Sequence, residues 1–147
     1  HAFMKECMRN NDVLYGGEMS AHHYFRDFSC CDSGMIPWLL VTELMCRSGK
    51  KLSELVGERV DMYPCSGEIN RKVADSAAVL AELGKKYADG EQDHLDGLSV
   101  VYDNWRFNVR VSNTEPVMRL NVETKGDKEL LAAKTAELLA VIGGEEA

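Results

Sequence analysis

The sequence predicts a mixed fold, an α/β piece followed by a small α+β domain, and three observations carry that reading. Between residues 97 and 124 apolar and polar side chains alternate with the period of β-strands. Helical stripes flank this run, one over 75–87 and one from Asp127 to a Gly143-Gly144 stop. Between 58 and 73 a proline, a glycine and turn-forming residues interrupt the pattern, as a linker running into a strand would. The boundary falls near residues 60–66, giving parts 1–60 and 61–147.

In chain order, the first eleven residues suit a helix, with Phe3/Cys7 and Met4/Met8 as i,i+4 pairs and Asn10-Asn11 as a stop. Residues 13–15 form a short strand candidate closed by a Gly16-Gly17 turn. The stretch SGMIPWLLVTELMCR, residues 33–47, is apolar nearly all round, as a buried helix would be. Pro37 suits its first turn and Gly49 follows its end. A shorter helix over 53–56 starts from Ser53 as N-cap. With so few strands, this part is expected to take its sheet from upstream of His1.

The second part opens with a strand and then a helix over 75–87, with Val79, Leu80, Leu83 and Tyr87 on one side. Strands follow over 97–102, 105–111 and 117–124. The last helix carries Leu131, Thr135, Leu138 and Ile142 as its stripe. Strand, helix, three strands and helix make a small α+β domain.

Composition narrows the function classes. The 147 residues are 45% hydrophobic and 28% charged, as in a soluble globular protein. A net charge of −7 and a pI near 5.1 argue against a broad basic face for nucleic acid. No apolar run reaches membrane-span length, no signal peptide is visible, and a cytoplasmic location is expected. Five cysteines without a C-x-x-C pair suit reduced thiols, several of them in the core. His22 and His23 would point to opposite faces of an extended segment, which disfavours a metal site on that pair. The chain opens with His1, so it reads as a piece of something longer.

Two segments carry chemistry. In GGEMSAH, Glu18, Ser20 and His22 fall at every second position and would share one face of an extended segment, with Met19, Ala21 and His23 opposite. A carboxylate, a hydroxyl and an imidazole together can give and accept hydrogen bonds from a polyhydroxylated ligand. On pattern alone a solvated edge is the commoner meaning. In WRFNVRVSNTEPVMRLNVE, two strand-like runs flank Ser112-Asn113-Thr114-Glu115-Pro116. Arg110 could grip a phosphate with two parallel hydrogen bonds, and the Ser112 and Thr114 hydroxyls with the turn amides could satisfy its other oxygens. An ordinary hairpin loop with an incidental arginine reads equally well.

Together, YGGEMSAHHYFRDF, CDSGMIPWLL, SGEIN and WRFNVRVSNTEPVMRLNVE resemble the α-D-phosphohexomutase family, in its bacterial phosphomannomutase/phosphoglucomutase branch. The resemblance runs in order along essentially the whole chain. It implies the C-terminal part of a mixed α/β third domain followed by a small fourth domain like the TATA-box-binding protein. It further implies that Glu18 and Ser20 read the sugar hydroxyls with His22 beside them, that His1 contacts substrate, and that Lys5 lies in the same motif. Arg110, Ser112, Asn113 and Thr114 would hold the phosphate that is not transferred, and Arg119 would add to the local positive field.

The family's phosphoserine and its magnesium ion, held by three aspartates, belong to earlier domains, and no D-x-D-x-D pattern occurs here. No catalytic residue is therefore expected in the chain, and by itself it should not turn over. The implied parent is a phosphomannomutase interconverting mannose 6-phosphate and mannose 1-phosphate for nucleotide-sugar (GDP-mannose) synthesis. Mannose or glucose 1,6-bisphosphate would be its intermediate, and the upstream domains of the same polypeptide its partners. Residues 60–66 would act as a hinge. A phosphoglucomutase, a non-catalytic phosphosugar-binding module and a nucleic-acid-binding module are the alternatives, the last disfavoured by charge.

Overall fold

A computed structural model describes residues 1–18, 20–112 and 117–147. The chain divides into two compact units, His1–Leu55 and Val56–Ala147. No helix among the described residues is long and apolar enough to cross a membrane.

In the first unit, α1 (Ala2–Asn10) lies against a three-stranded antiparallel sheet of β1 (Tyr15–Gly17), β2 (His23–Phe25) and β3 (Cys31–Asp32), in that order. A turn of 3₁₀ helix, Arg26–Phe28, connects β2 to β3. The small core is Met8, Tyr24 and Cys30, with Met4 and Val13 packed on it. Of the two expected helix pairs, Met4/Met8 faces inward while Phe3 and Cys7 are exposed. The glycines do not form a turn. Gly16 and Gly17 are strand residues, paired with Tyr24 and His23. A Cβ on Gly16 would sit 2.9 Å from the Met4 sulfur and 3.1 Å from that of Met8, so glycine here lets α1 rest on the strand.

Helix α2 (Met35–Ser48) forms where expected, but it is not buried. Met35, Trp38, Leu39, Leu40, Val41 and Leu44 are all exposed. Composition records how much apolar surface a helix carries, and only packing decides whether that surface is covered. Helix α3 runs Leu52–Met62, so Ser53 lies inside it and residues 58–62 are helical, not linker. The Glu54 carboxylate accepts from the Lys51 N–H at 2.7 Å, a side-chain cap that the Ser53 reading overlooked. Among the five cysteines only Cys30 is buried, and none forms a disulfide.

The second unit begins inside α3 and, among the described residues, continues as a six-stranded antiparallel sheet with two further helices, an α+β architecture as expected. Its elements are β4 (Ile69–Lys72), α4 (Ser76–Lys86), β5 (Glu91–Asp93), β6 (Leu98–Val101), β7 (Trp105–Val111), β8 (Met118–Thr124), α5 (Lys128–Ile142) and β9 (Glu145–Glu146), with strand order β5-β6-β7-β8-β4-β9. The short strands β5 and β9 lack the length for an alternation to register. Both helices start from aspartate N-caps, Asp75 accepting from Ala78 N at 2.9 Å and Asp127 from Leu130 N at 2.7 Å. Leu83 of α4 and Tyr87 just after it, with Leu138 and Ile142 of α5, cover one sheet face, meeting Leu98, Val100, Trp105, Phe107, Val109, Leu120 and Val122.

The period-two alternation then leaves Arg106, Asn108 and Arg110 of β7 on the other face, beside Arg119, Asn121 and Glu123 of β8. That polar face carries the second candidate site.

Candidate functional site

The first group of predicted residues sits on a tight hairpin loop between β1 and β2. Glu18 N–H donates to the His22 carbonyl at 3.0 Å, and Ala21 N–H to the Glu18 carbonyl at 3.0 Å, with Ala21 in the left-handed region at φ 62°. The segment is therefore not extended, and strand alternation is not what brings Glu18, Ser20 and His22 together. The reversal does it. Met19, expected on the opposite side, lies outside the described residues.

Within the loop, Glu18 Oε1 accepts from the Tyr24 hydroxyl at 2.8 Å and Oε2 from Ser20 Oγ at 3.4 Å. The Tyr24 hydrogen bond, more than any other influence, holds the Glu18 carboxyl below its ordinary range. Burial, and then the same carboxylate, push the Tyr24 phenol up to about 12, so it stays a donor. His22 Nδ1 lies 2.7 Å from Asp32 Oδ2, while Asp32 Oδ1 accepts from His23 N–H at 2.9 Å. The His22 hydrogen bond lowers the Asp32 carboxyl, and the pairing turns the imidazole's Nε2 edge away from the aspartate. His23 faces elsewhere, its Nδ1 2.6 Å from the Tyr15 hydroxyl.

A cavity of about 210 Å³ results, lined by His1, Lys5, Glu18, His22, Tyr24 and Asp32. It collects four of the five residues expected to read a sugar, and the fifth, Ser20, touches Glu18 from the loop. Tyr24 and Asp32 were not foreseen. Tyr24 belongs to the apolar side of a strand too short to announce itself. Asp32 reaches the loop only through the β2–β3 register, in which it pairs with Tyr24.

The second group lies at the end of β7. Arg110 and Arg119 are direct Cα partners across the β7–β8 ladder, and both project from the polar face. The Glu68 carboxylate lies between them: Oε2 accepts from Arg110 Nη2 at 3.2 Å, and Oε1 is 3.5 Å from Arg119 Nη1. Asp96 Oδ2 is 4.0 Å from Arg110 Nε. Ser112 N–H donates to the Val117 carbonyl at 2.9 Å, closing the loop at its base. Asn113 and Thr114, the other expected phosphate ligands, lie outside the described residues.

Gly97 makes this corner possible. At φ +76° its backbone lies so close to β7 that a Cβ would be 2.3 Å from the Val109 carbonyl oxygen and 2.7 Å from the Arg110 Cα. Glu68 and Asp96 were missed, because only the paired sheet brings separate sequence segments to one point; Arg119, expected to add to the local positive field, lies directly opposite Arg110.

Comparison with known proteins places the chain in a family. The model "Phosphoglucomutase/phosphomannomutase, alpha/beta/alpha domain III" matches residues 1–63, and "Phosphoglucomutase/phosphomannomutase, C-terminal domain" matches residues 68–141. A phosphomannomutase of Salmonella montevideo is 57% identical over 144 residues, 97% of this chain and 32% of that protein. The "phosphohexose mutases" of Xanthomonas campestris pv. campestris (strain B100) are 54% identical over 146 residues, 98% of this chain and 33% of the relative. A crystal structure of a phosphoglucomutase/phosphomannomutase family protein from Burkholderia thailandensis superposes with a TM-score of 0.65 at 25% identity, covering 99% of this chain and 32% of that one. The chain thus spans about a third of the length of the relatives it matches. Matched along nearly its whole length, it belongs to the phosphoglucomutase/phosphomannomutase family, whose domain III and C-terminal domain it carries.

Proposed function

We propose that this chain is the substrate-reading portion of a phosphomannomutase, the enzyme that interconverts mannose 6-phosphate and mannose 1-phosphate. The observation that carries the reading is the Glu18 carboxylate, aimed by Tyr24 and Ser20 in a cavity with His22, Lys5 and His1. An ionised carboxylate held by two donors keeps lone pairs for sugar hydroxyls, and Lys5 brings a cation beside it. On the other unit, Arg110 anchors the phosphate that is not being transferred, with Ser112, Asn113 and Thr114 completing its shell. A bisphosphorylated sugar in either orientation can use the same two grips, since each end carries a phosphate.

No phosphoryl-transfer step is assigned to these residues. Among the described residues no group of three or more His, Cys, Asp or Glu side chains is placed to hold a metal ion. A magnesium ion and a phosphoserine nucleophile would belong to the rest of the polypeptide, where the ion would stabilise the transferring phosphoryl group. A phosphoglucomutase is the nearest second reading, favoured by the broader name of the Xanthomonas relatives.

The test is a calorimetric titration of the full-length polypeptide with mannose 1-phosphate. Arg110→Ala should weaken binding by about 2 kcal/mol, the worth of charge-assisted hydrogen bonds to an anion. Glu18→Gln should weaken the phosphosugar more than inorganic phosphate. Unchanged affinity in Arg110→Ala, or equal losses for both ligands in Glu18→Gln, refutes the respective assignment.

A further inference from the structure

We propose a nucleotide-binding cleft at the end of β7 and β8 remote from the phosphate loop, in which aromatic rings receive the base of a nucleoside monophosphate and Arg106 and Lys125 receive its phosphate. The inference does not depend on the reading of Arg110 as the phosphate anchor.

The β7–β8 ladder pairs Trp105 with Thr124 at one end and Val111 with Met118 at the other. Arg110 therefore lies roughly 17 Å along the strand from Trp105, and the two ends are separate places on the sheet. A cavity of about 330 Å³ opens at the Trp105 end, with Tyr63, Val101 and Tyr102 beside Trp105 in its lining. Small-molecule sites span roughly 300–1,000 Å³ and set a few polar groups in a mainly apolar and aromatic lining.

The aromatic walls are fixed before any ligand arrives. The Tyr102 and Trp105 rings stack, with centroids 4.8 Å apart and planes 3° from parallel. The Tyr102 hydroxyl donates to Asp89 Oδ1 at 2.7 Å, which holds its ring in place. Tyr63 is secured from both sides along the chain, since Lys128 pairs with Asp61 at 2.7 Å and Thr124 N–H donates to the Pro64 carbonyl at 3.0 Å. Tyr63 itself is 52% exposed and takes no part in the core. A ring held in position yet left bare is pre-organised for a planar ligand, because the cost of ordering it falls on folding.

The rim is rich in donors. Arg106 uses its Nε on Glu123 Oε2 at 2.9 Å, and among the described residues its two terminal nitrogens have no partner. The Lys125 ammonium and the Tyr63 hydroxyl are likewise uncommitted among those residues. Arg106, Lys125 and Glu123 sum to one positive charge around the cavity. An apolar floor under a cationic rim complements a flat ring system that carries an anion. A nucleoside monophosphate joins those parts in one molecule: a base for the rings, a phosphate for Arg106 and Lys125, and ribose hydroxyls for the second oxygen of Glu123. A sugar phosphate lacks the flat ring system, and the chain's net charge of −7 disfavours a long nucleic acid.

The experiment is calorimetric titration of the full-length polypeptide with adenosine and guanosine monophosphate, their parent nucleosides, inorganic phosphate and a single-stranded oligonucleotide. The proteins are wild type, Tyr63→Ala, Tyr63→Phe, Lys125→Met and Arg110→Ala. At least one monophosphate should bind wild type about tenfold more tightly than its nucleoside or inorganic phosphate, as charge-assisted hydrogen bonds added to stacking require. Tyr63→Ala should weaken that binding about tenfold and Tyr63→Phe hardly at all, since stacking needs the ring and not the hydroxyl. Lys125→Met should weaken it about fivefold through loss of a partly screened charge. Both side chains are exposed, so the fold is not at stake, and mannose 1-phosphate affinity should stay at the wild-type level in all three variants. Failure of both monophosphates to bind, or full binding by Tyr63→Ala, overturns the cleft. Loss in Arg110→Ala with none in Tyr63→Ala would place the nucleotide in the phosphate corner instead, and tighter Tyr63-dependent binding of the oligonucleotide would overturn the mononucleotide as ligand.

Discussion

Replacing Gly97 by alanine probes the link between backbone packing and the phosphate corner. The added Cβ would lie 2.3 Å from the Val109 carbonyl oxygen and 2.7 Å from the Arg110 Cα, both main-chain atoms that cannot swing aside. At φ +76° an L-residue also carries a backbone penalty of about 1 kcal/mol. Relieving the overlap requires the β6 entry and the end of β7 to separate by about 1 Å, and forced overpacking of this kind costs about 1–3 kcal/mol. The total is about 3 kcal/mol, concentrated where Leu98 pairs with Val109. Amide hydrogen exchange across β6, β7 and β8 reads it directly, since exchange reports local as well as global opening. The same displacement moves Arg110, and a misplacement of about 1 Å in a binding group can cost as much as a hundredfold. Mannose 1-phosphate affinity should therefore fall together with β7 protection. Normal protection with normal affinity would refute the claim that Gly97 sets the position of Arg110.

Two further outcomes are expected. Tyr24→Phe removes the 2.8 Å hydrogen bond to Glu18, so phosphosugar affinity should fall about fivefold, and the Glu18 carboxyl should rise back toward its ordinary range; a pH profile of binding that matches wild type would show that Tyr24 does not aim the carboxylate. Glu137, hydrogen-bonded by Lys134 and Tyr87, has its carboxyl depressed from 4.5 to about 2. The stability it supplies is complete above about pH 4.5 and lost as pH falls toward 2, amounting to about 1 kcal/mol once its partial exposure is allowed for. Glu137→Gln should remove that part of the acid sensitivity, and parallel acid melts of variant and wild type would contradict it.

The second unit was legible in the sequence because its signals are local. Trp105–Val111 and Met118–Thr124 are strands whose alternation is matched residue by residue by burial, and Asp75 and Asp127 are caps that act within their own first turns. The first unit was less legible. Its strands are two or three residues long, too short for a period to show, and the apolar helix α2 carries no sign of which of its sides are covered. The Gly16-Gly17 pair was read as a turn, yet it serves as the flat strand on which Met4 and Met8 rest.

By itself the sequence determined the alternating faces of β7 and β8, the caps of α4 and α5, and the residue types able to grip a sugar and a phosphate. Each of these follows from neighbours within about one turn or one strand. Tertiary structure alone decided that a hairpin, not an extended face, gathers Glu18, Ser20 and His22, and that Tyr24 and Asp32 support them. It alone set Arg119 opposite Arg110 with Glu68 between. Register and chain reversal make those meetings, and both depend on hydrogen bonds between segments that carry no record of each other in the linear order.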